Sequence, residues 1–267
     1  MQSLIEESAS GERETPLRVC VTGGAGGLGR AIAERFLRNK AWVHLADVSA
    51  EGVARALASS AGLHATVADM TRPEEVGAFV AEACDWMGGI DVLVNCAQFV
   101  GERRAVEETP FEEWARIMAV NAGGAFAAIQ SVVPVMKRQR SGCLITLLSS
   151  AAQTGLPGRA AYVASQSALR GLSETLAREL GPYGIRSNAV VPGVIRDEAS
   201  EEHLRSIRNE QRLSADESEG ELLRYVSLRQ WTQPEQVAET VSFLASPAAS
   251  LITGQTLSVS GNVEWES

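Results

Sequence analysis

The sequence is short of positive charge, of histidine and of long apolar runs, and each shortage narrows what the chain can be. Lys and Arg total 24 against 33 Asp and Glu, a formal charge of −9 over 267 residues. A surface of that sign suits neither a phosphate backbone nor an anionic membrane, which argues against nucleic acid and membrane as partners. No run reaches the ~18–20 consecutive apolar residues that span a bilayer. Residues 1–16, MQSLIEESASGERETP, have neither a basic start nor an apolar segment, so they read as a disordered tail and not as a secretory signal. The three histidines, His44, His64 and His203, show no metal-ligand spacing, and no metal is expected. Four widely spaced cysteines, Cys20, Cys84, Cys96 and Cys143, fit reduced thiols in a cytoplasmic protein.

What the chain does have is a rhythm. Short β-branched runs such as Arg18–Thr22, Trp42–Ala46, Asp91–Asn95 and Cys143–Leu148 alternate with longer amphipathic stretches. Pro73–Met87 has proline in its first turn, and a long helix is expected from about Pro110 to Arg138 with Thr109 as its cap. Further elements are expected at Tyr162–Leu180 (helix), Arg186–Val191 (strand), Pro234–Leu244 (helix) and Thr256–Ser260 (strand). Such alternation predicts an α/β fold, a doubly wound parallel sheet of about seven strands with helices on both faces. No linker or repeat divides it, so residues 17–267 are expected to form one domain. The charged segment 193–231 breaks the rhythm and reads as a lid over a substrate site or, more plainly, as a solvated excursion.

Between the first strand and the first helix lies TGGAGGLG, Thr22–Gly29. Glycines there let the backbone approach a pyrophosphate, and the helix start offers free N–H groups and the positive dipole end. Asp47 closes the second strand, where a carboxylate takes adenine-ribose hydroxyls or caps the helix starting at Ala50. It would repel a 2′-phosphate, and Val48 and Ser49 supply no compensating cation, which favours NAD over NADP.

The turn resembles the TGxxxGxG motif of the short-chain dehydrogenase/reductase family, whose fold is of the Rossmann type. Other matches follow in order: Asp69 in ADM, Asn95-Cys96-Ala97 against NNAG, Asn121 in VNAGG, Ser149-Ser150 before Tyr162 in YVASQ, Pro192-Gly193 after a strand, and ITGQTLSVSG near the end. The resemblance implies that NAD is held by Gly23, Gly26, Gly27, Leu28, Gly29, Asp47, Asp69, Met70, Asn95, Ala97, Tyr162, Gln166, Pro192, Gly193 and Ile195. It also implies Tyr162 as the proton-exchanging acid/base, Ser149 (or Ser150) as the carbonyl orienter and Asn121 as support for a water-linked relay. A homodimer or homotetramer is implied too, packed through the alanine-rich stretches Ala122–Ala128 and Tyr162–Leu172.

Four positions depart from that pattern. The family's lysine four residues after the tyrosine is Gln166 here; its amide can reach a ribose hydroxyl, but it brings no charge to lower the tyrosine pKa. An unassisted tyrosine of pKa ~10 is ionised in about one molecule per thousand at neutral pH, which penalises oxidation more than reduction. Gln98 stands where NNAG ends in glycine, Val194-Ile195 where a threonine is common, and Ser260-Gly261-Asn262 where an acidic-Gly-Gly run is usual. The adenine half reads as intact and the nicotinamide half as altered. Two functions follow as expectations: an NAD(H)-dependent oxidoreductase interconverting a secondary alcohol and a ketone on a small molecule, or a catalytically impaired subunit that binds NAD or an active homologous partner. Arg103, Arg104 and Arg159 are candidates for an anionic substrate group, or for solvated surface charge.

Overall fold

The computed structural model describes residues 15–59, 62–196 and 198–263; the expected N-terminal tail lies, up to residue 14, outside them. Seven strands, β1 Arg18–Thr22, β2 Trp42–Asp47, β3 Leu63–Val67, β4 Val92–Asn95, β5 Gly142–Leu147, β6 Ile185–Pro192 and β7 Thr256–Val259, form one sheet in the order β3-β2-β1-β4-β5-β6-β7. Every pairing is parallel. The α/β, doubly wound expectation therefore holds.

The central strands carry apolar side chains of both parities because both sheet faces are covered. Val19 and Val21 of β1, with Val92 and Val94 of β4, enter a core shared with Ile32 and Phe36 of α1 (Gly27–Arg38) and Val237 and Val241 of α10 (Pro234–Ala245). The intervening Cys20 and Leu93 enter the opposite core, with Phe79 of α3 (Pro73–Met87), Val132 and Met136 of α5 (Gly124–Gln139) and Leu176 of α7 (Ala160–Leu180). The remaining helices are α2 (Ala50–Ser59), α4 (Phe111–Met118), α6 (Ala151–Thr154), α8 (Glu198–Gln211) and α9 (Ala215–Leu223).

Two sequence expectations need correction. The helix from Pro110 to Arg138 is α4 and α5 joined by a π-helical turn, Ala119–Gly123, which brings Asn121 inward. Thr109 does not cap it: its hydroxyl donates to the Ala105 carbonyl at 3.0 Å, and the N-cap is Pro110. The continuous helical stretch Phe111–Gln139 is, by length and composition, apolar enough to cross a membrane. Its α5 portion buries Ala128, Val132 and Met136 in the core beneath the sheet, which is how a core helix behaves. Finally, the segment 193–231 holds the two helices α8 and α9, the second closed by a capping box between Ser214 and Glu217.

At the β2–β3 edge the Thr66 hydroxyl donates to Glu82 at 2.5 Å, so it accepts from His44 Nε2, 2.8 Å away. His44 is then the neutral Nε2–H tautomer, and its buried Nδ1 has no partner. Protonation would leave a cationic N–H unpartnered beside Phe79 and Trp86, and burial pushes the His44 pKa down to about 4. A folded-state value below the unfolded ~6.5 gives stability that is complete above pH 6.5 and lost as pH falls towards 4. Thermal melts at pH 7 and pH 4.5 should therefore show a smaller acid-induced drop for His44→Phe than for the wild type; equal drops would refute this origin.

Candidate functional site

The strand order reverses at β1, whose neighbours β2 and β4 lead away in opposite directions, and a crevice opens beyond the strand ends there. A cleft of about 700 Å³ occupies it. Of the sequence-predicted residues, Gly23, Gly26, Leu28, Gly29, Asp47, Asp69, Met70, Ala97, Ser149, Ser150, Tyr162, Pro192, Gly193 and Ile195 line this cleft. Gly27, Asn95, Asn121 and Gln166 do not.

The glycines of the turn divide by what surrounds them. Gly23 has φ +64°, and a Cβ there would lie 2.7 Å from the Ala97 Cα. A Cβ on Gly29 would meet the Gly23 carbonyl oxygen at 2.2 Å. These two let backbone pass backbone. Gly26 and Gly27 instead face open space, with nothing within 4 Å of a Cβ, at the start of a helix whose first turn carries no acidic residue and no side-chain cap. That is a cradle for an anion. Asp47 is oriented across it: its Oδ2 accepts from the Ala25 N–H at 3.1 Å and its Oδ1 from the Ser49 N–H at 2.9 Å. Asp69 accepts from the Thr71 N–H and hydroxyl, both at 2.8 Å, and these bonds hold its carboxyl below the usual range, with Arg72 and Arg116 assisting. The set fits a dinucleotide: an open glycine cradle for the pyrophosphate and two carboxylates at one end.

At the other end Tyr162 is buried on α7, and its hydroxyl donates to Gln98 Oε1 at 2.9 Å. Burial pushes its phenol pKa up; hydrogen bonding to Ser149 and the charge of Arg159 pull the other way without offsetting it. Gln98 Nε2 donates to the Leu147 carbonyl at 2.7 Å. Ser149 Oγ accepts from the Ala151 N–H at 3.2 Å. Asn121 is wholly buried and fully engaged: its Oδ1 accepts from the Phe99 N–H at 2.7 Å, and its Nδ2 donates to the Phe99 carbonyl and to Ser165 Oγ. Gln166 is 0% exposed and neither atom of its amide has a hydrogen-bond partner; the Asn95 amide is in the same state. Two unpaired buried amides are costly, and hydroxyls of a bound ribose are the kind of group that would satisfy one of them.

The arginines proposed for an anionic substrate do not line the cleft. Arg104 pairs with Glu102 and Glu113, Arg159 donates to the Gly101 carbonyl, and Arg103 lies against Gly158. The cation that does line it, Arg116, was missed; it lies over the Phe99 ring at 4.5 Å to the centroid. It lies on α4, and nothing in its own spacing signals it. Among the described residues no group of three or more His, Cys, Asp or Glu is placed to hold a metal ion.

Comparison with known proteins agrees with this geometry. The family described as enoyl-(acyl carrier protein) reductase matches residues 23–263. The 3-oxoacyl-[acyl-carrier-protein] reductase FabG of Staphylococcus aureus is 34% identical over 256 residues, covering 91% of this chain and 96% of its own. Levodione reductase of Leifsonia aquatica is 30% identical over 255 residues, covering 93% and 94%. The solved structure of an NAD+-bound xylitol dehydrogenase superposes with a TM-score of 0.85 at 28% identity, over 93% of this chain and 100% of that one.

The two kinds of glycine should separate on substitution. Gly29→Ala forces a backbone clash and should lower stability by about 1–3 kcal/mol or more, whereas Gly26→Ala should keep the wild-type melting temperature and weaken dinucleotide binding. Melting curves with and without NADH check both; a destabilised Gly26→Ala would contradict the open cradle.

Proposed function

The chain belongs to the short-chain dehydrogenase/reductase family, and we propose that it is an NAD(H)-dependent member interconverting a secondary alcohol and a ketone on a small molecule. The family makes it an oxidoreductase of alcohol or ketone substrates that uses a nicotinamide cofactor. The observation that carries the finer reading is that the Tyr162 hydroxyl and Ser149 share one cleft with the glycine cradle and Asp47.

A bound nicotinamide supplies or accepts the hydride. In this reading Gly26 and Gly27 admit the pyrophosphate on a turn that Gly23 and Gly29 keep tight, and Asp47 takes the adenine-ribose hydroxyls. Val48 is 70% exposed at the cleft wall and offers a 2′-phosphate no positive partner, which supports NAD over NADP. Tyr162, kept protonated by burial, gives its proton to the ketone oxygen, and Ser149 holds that oxygen in place. Asn121 shapes the turn behind them, and Gln166 presents its unpaired amide to the nicotinamide ribose. The helices α8 and α9 serve as the lid, and exposed Phe111 and Phe126 on α4 and α5 suit packing against a second copy.

One observation favours a second reading, a catalytically impaired subunit that binds NAD or an active homologue. Gln166 supplies no charge to Tyr162, and the phenol hydroxyl already has a partner in Gln98.

Two experiments test these assignments. Tyr162→Phe should cut ketone reduction about 10²–10⁴-fold. Wild-type reduction should be flat between pH 6 and 9, while alcohol oxidation rises about tenfold per pH unit across that range, because the neutral phenol is the acid and the scarce phenolate the base. A chain that binds NADH yet reduces no ketone, with or without Tyr162→Phe, is the impaired subunit. For the cofactor, fluorescence titration should give tighter binding of NADH than NADPH by at least about tenfold, and Asp47→Ala should narrow that ratio; an NADPH preference would overturn the NAD assignment.

A further inference from the structure

The side chain of Gln98 lies between three elements: its own loop after β4, the end of β5, and α7. Its backbone is pinned on both sides. Thr22 Oγ1 accepts from the Cys96 and Ala97 N–H groups at 3.2 and 3.3 Å, and Asn121 holds the N–H and carbonyl of Phe99.

The orientation of its amide is determined by what it faces. The Leu147 carbonyl can only accept, so the amide nitrogen must be the atom 2.7 Å from it. The amide oxygen then faces Tyr162, and because that oxygen also can only accept, the phenol must donate across the 2.9 Å contact. A phenolate there would face a carbonyl oxygen, and flipping the amide to relieve it would set the amide oxygen against the Leu147 carbonyl. Either arrangement sets two acceptors against each other. The contact therefore tolerates Tyr162 only in its protonated form. The other titratable groups acting on the phenol are Arg159 at the start of α7 and the buried Cys96 thiol, and Ser149 is its neutral partner.

We propose that Gln98 is a positioning residue for the Tyr162 proton: its amide oxygen takes the place of the substrate carbonyl at the phenol and holds Tyr162 as the donor until a carbonyl oxygen displaces it. The proposal rests on Tyr162 being the acid of the preceding section. It selects substrates whose carbonyl reaches the phenol without needing the volume of the amide, which must swing aside.

The protein has three tyrosines, Tyr162, Tyr183 and Tyr225, so 13Cζ-tyrosine NMR resolves each ionisation, with Tyr162→Phe assigning the signal. Gln98→Met keeps the side-chain length and removes the amide; Tyr162 should then ionise about one pH unit lower, the size of one neutral hydrogen bond, while the other two tyrosines stay put. An unmoved Tyr162 midpoint in Gln98→Met overturns the proposal. Should that variant fail to fold, Gln98→Gly gives the same reading with the loop backbone retained. A protein that reduces no ketone would sink the proposed activity, yet the titration would still report whether Gln98 holds the proton.

Discussion

The site depends on one close approach of backbone to backbone. At the switch point the chain leaving β1 runs against the chain leaving β4 so closely that a Cβ on Gly23 would lie 2.7 Å from the Ala97 Cα. The Thr22 hydroxyl closes the same gap from the β1 side by accepting two N–H groups of the β4 loop. The cofactor turn and the loop bearing Gln98 are thus one rigid piece. A shift in either would move the pyrophosphate cradle relative to the Tyr162 hydroxyl, and hydride transfer needs the two in register to within fractions of an ångström.

From that junction the cleft runs two ways, and its ends are built differently. The Asp47 end is made of satisfied groups: both Asp47 oxygens and one Asp69 oxygen accept backbone N–H bonds, so the carboxylates are fixed before any ligand arrives. The Tyr162 end holds buried amides without partners at Asn95 and Gln166, and a phenol whose proton is already committed. One end is held by hydrogen bonds already made, and the other keeps buried amide atoms unpaired.

Most of the fold was legible because both periodicities that define it are local. The alternation of Val19, Cys20 and Val21, repeated at Val92, Leu93 and Val94, can be read without knowing what packs on either face. The π-helical turn at Ala119–Gly123 was not legible: its glycine marks no particular widening, and the bonds that Asn121 makes there go to the Phe99 backbone on another segment. The helix α9 was missed although its signal was present, Ser214 and Glu217 at capping-box spacing within a run of charge that masked the apolar positions. In the site, the glycines and Asp47 could be read from the turn, while the role of Gln98 could not. Its partner is Tyr162, 64 positions along the chain, and only the fold makes them neighbours.

The two glutamines at the altered end act on the same proton from different distances. A lysine at position 166 would favour the phenolate by its charge; a neutral amide there withdraws that help, and burial is then the main cause that holds the Tyr162 pKa up. Gln98 adds an acceptor that the phenolate could not face. With a lysine at 166, Gln98 would oppose a charge pulling the proton off; with a glycine at 98, the phenol would lose its amide acceptor and keep Ser149 as its partner. Together they favour the protonated form of Tyr162, the form that the proposed reduction of a carbonyl requires.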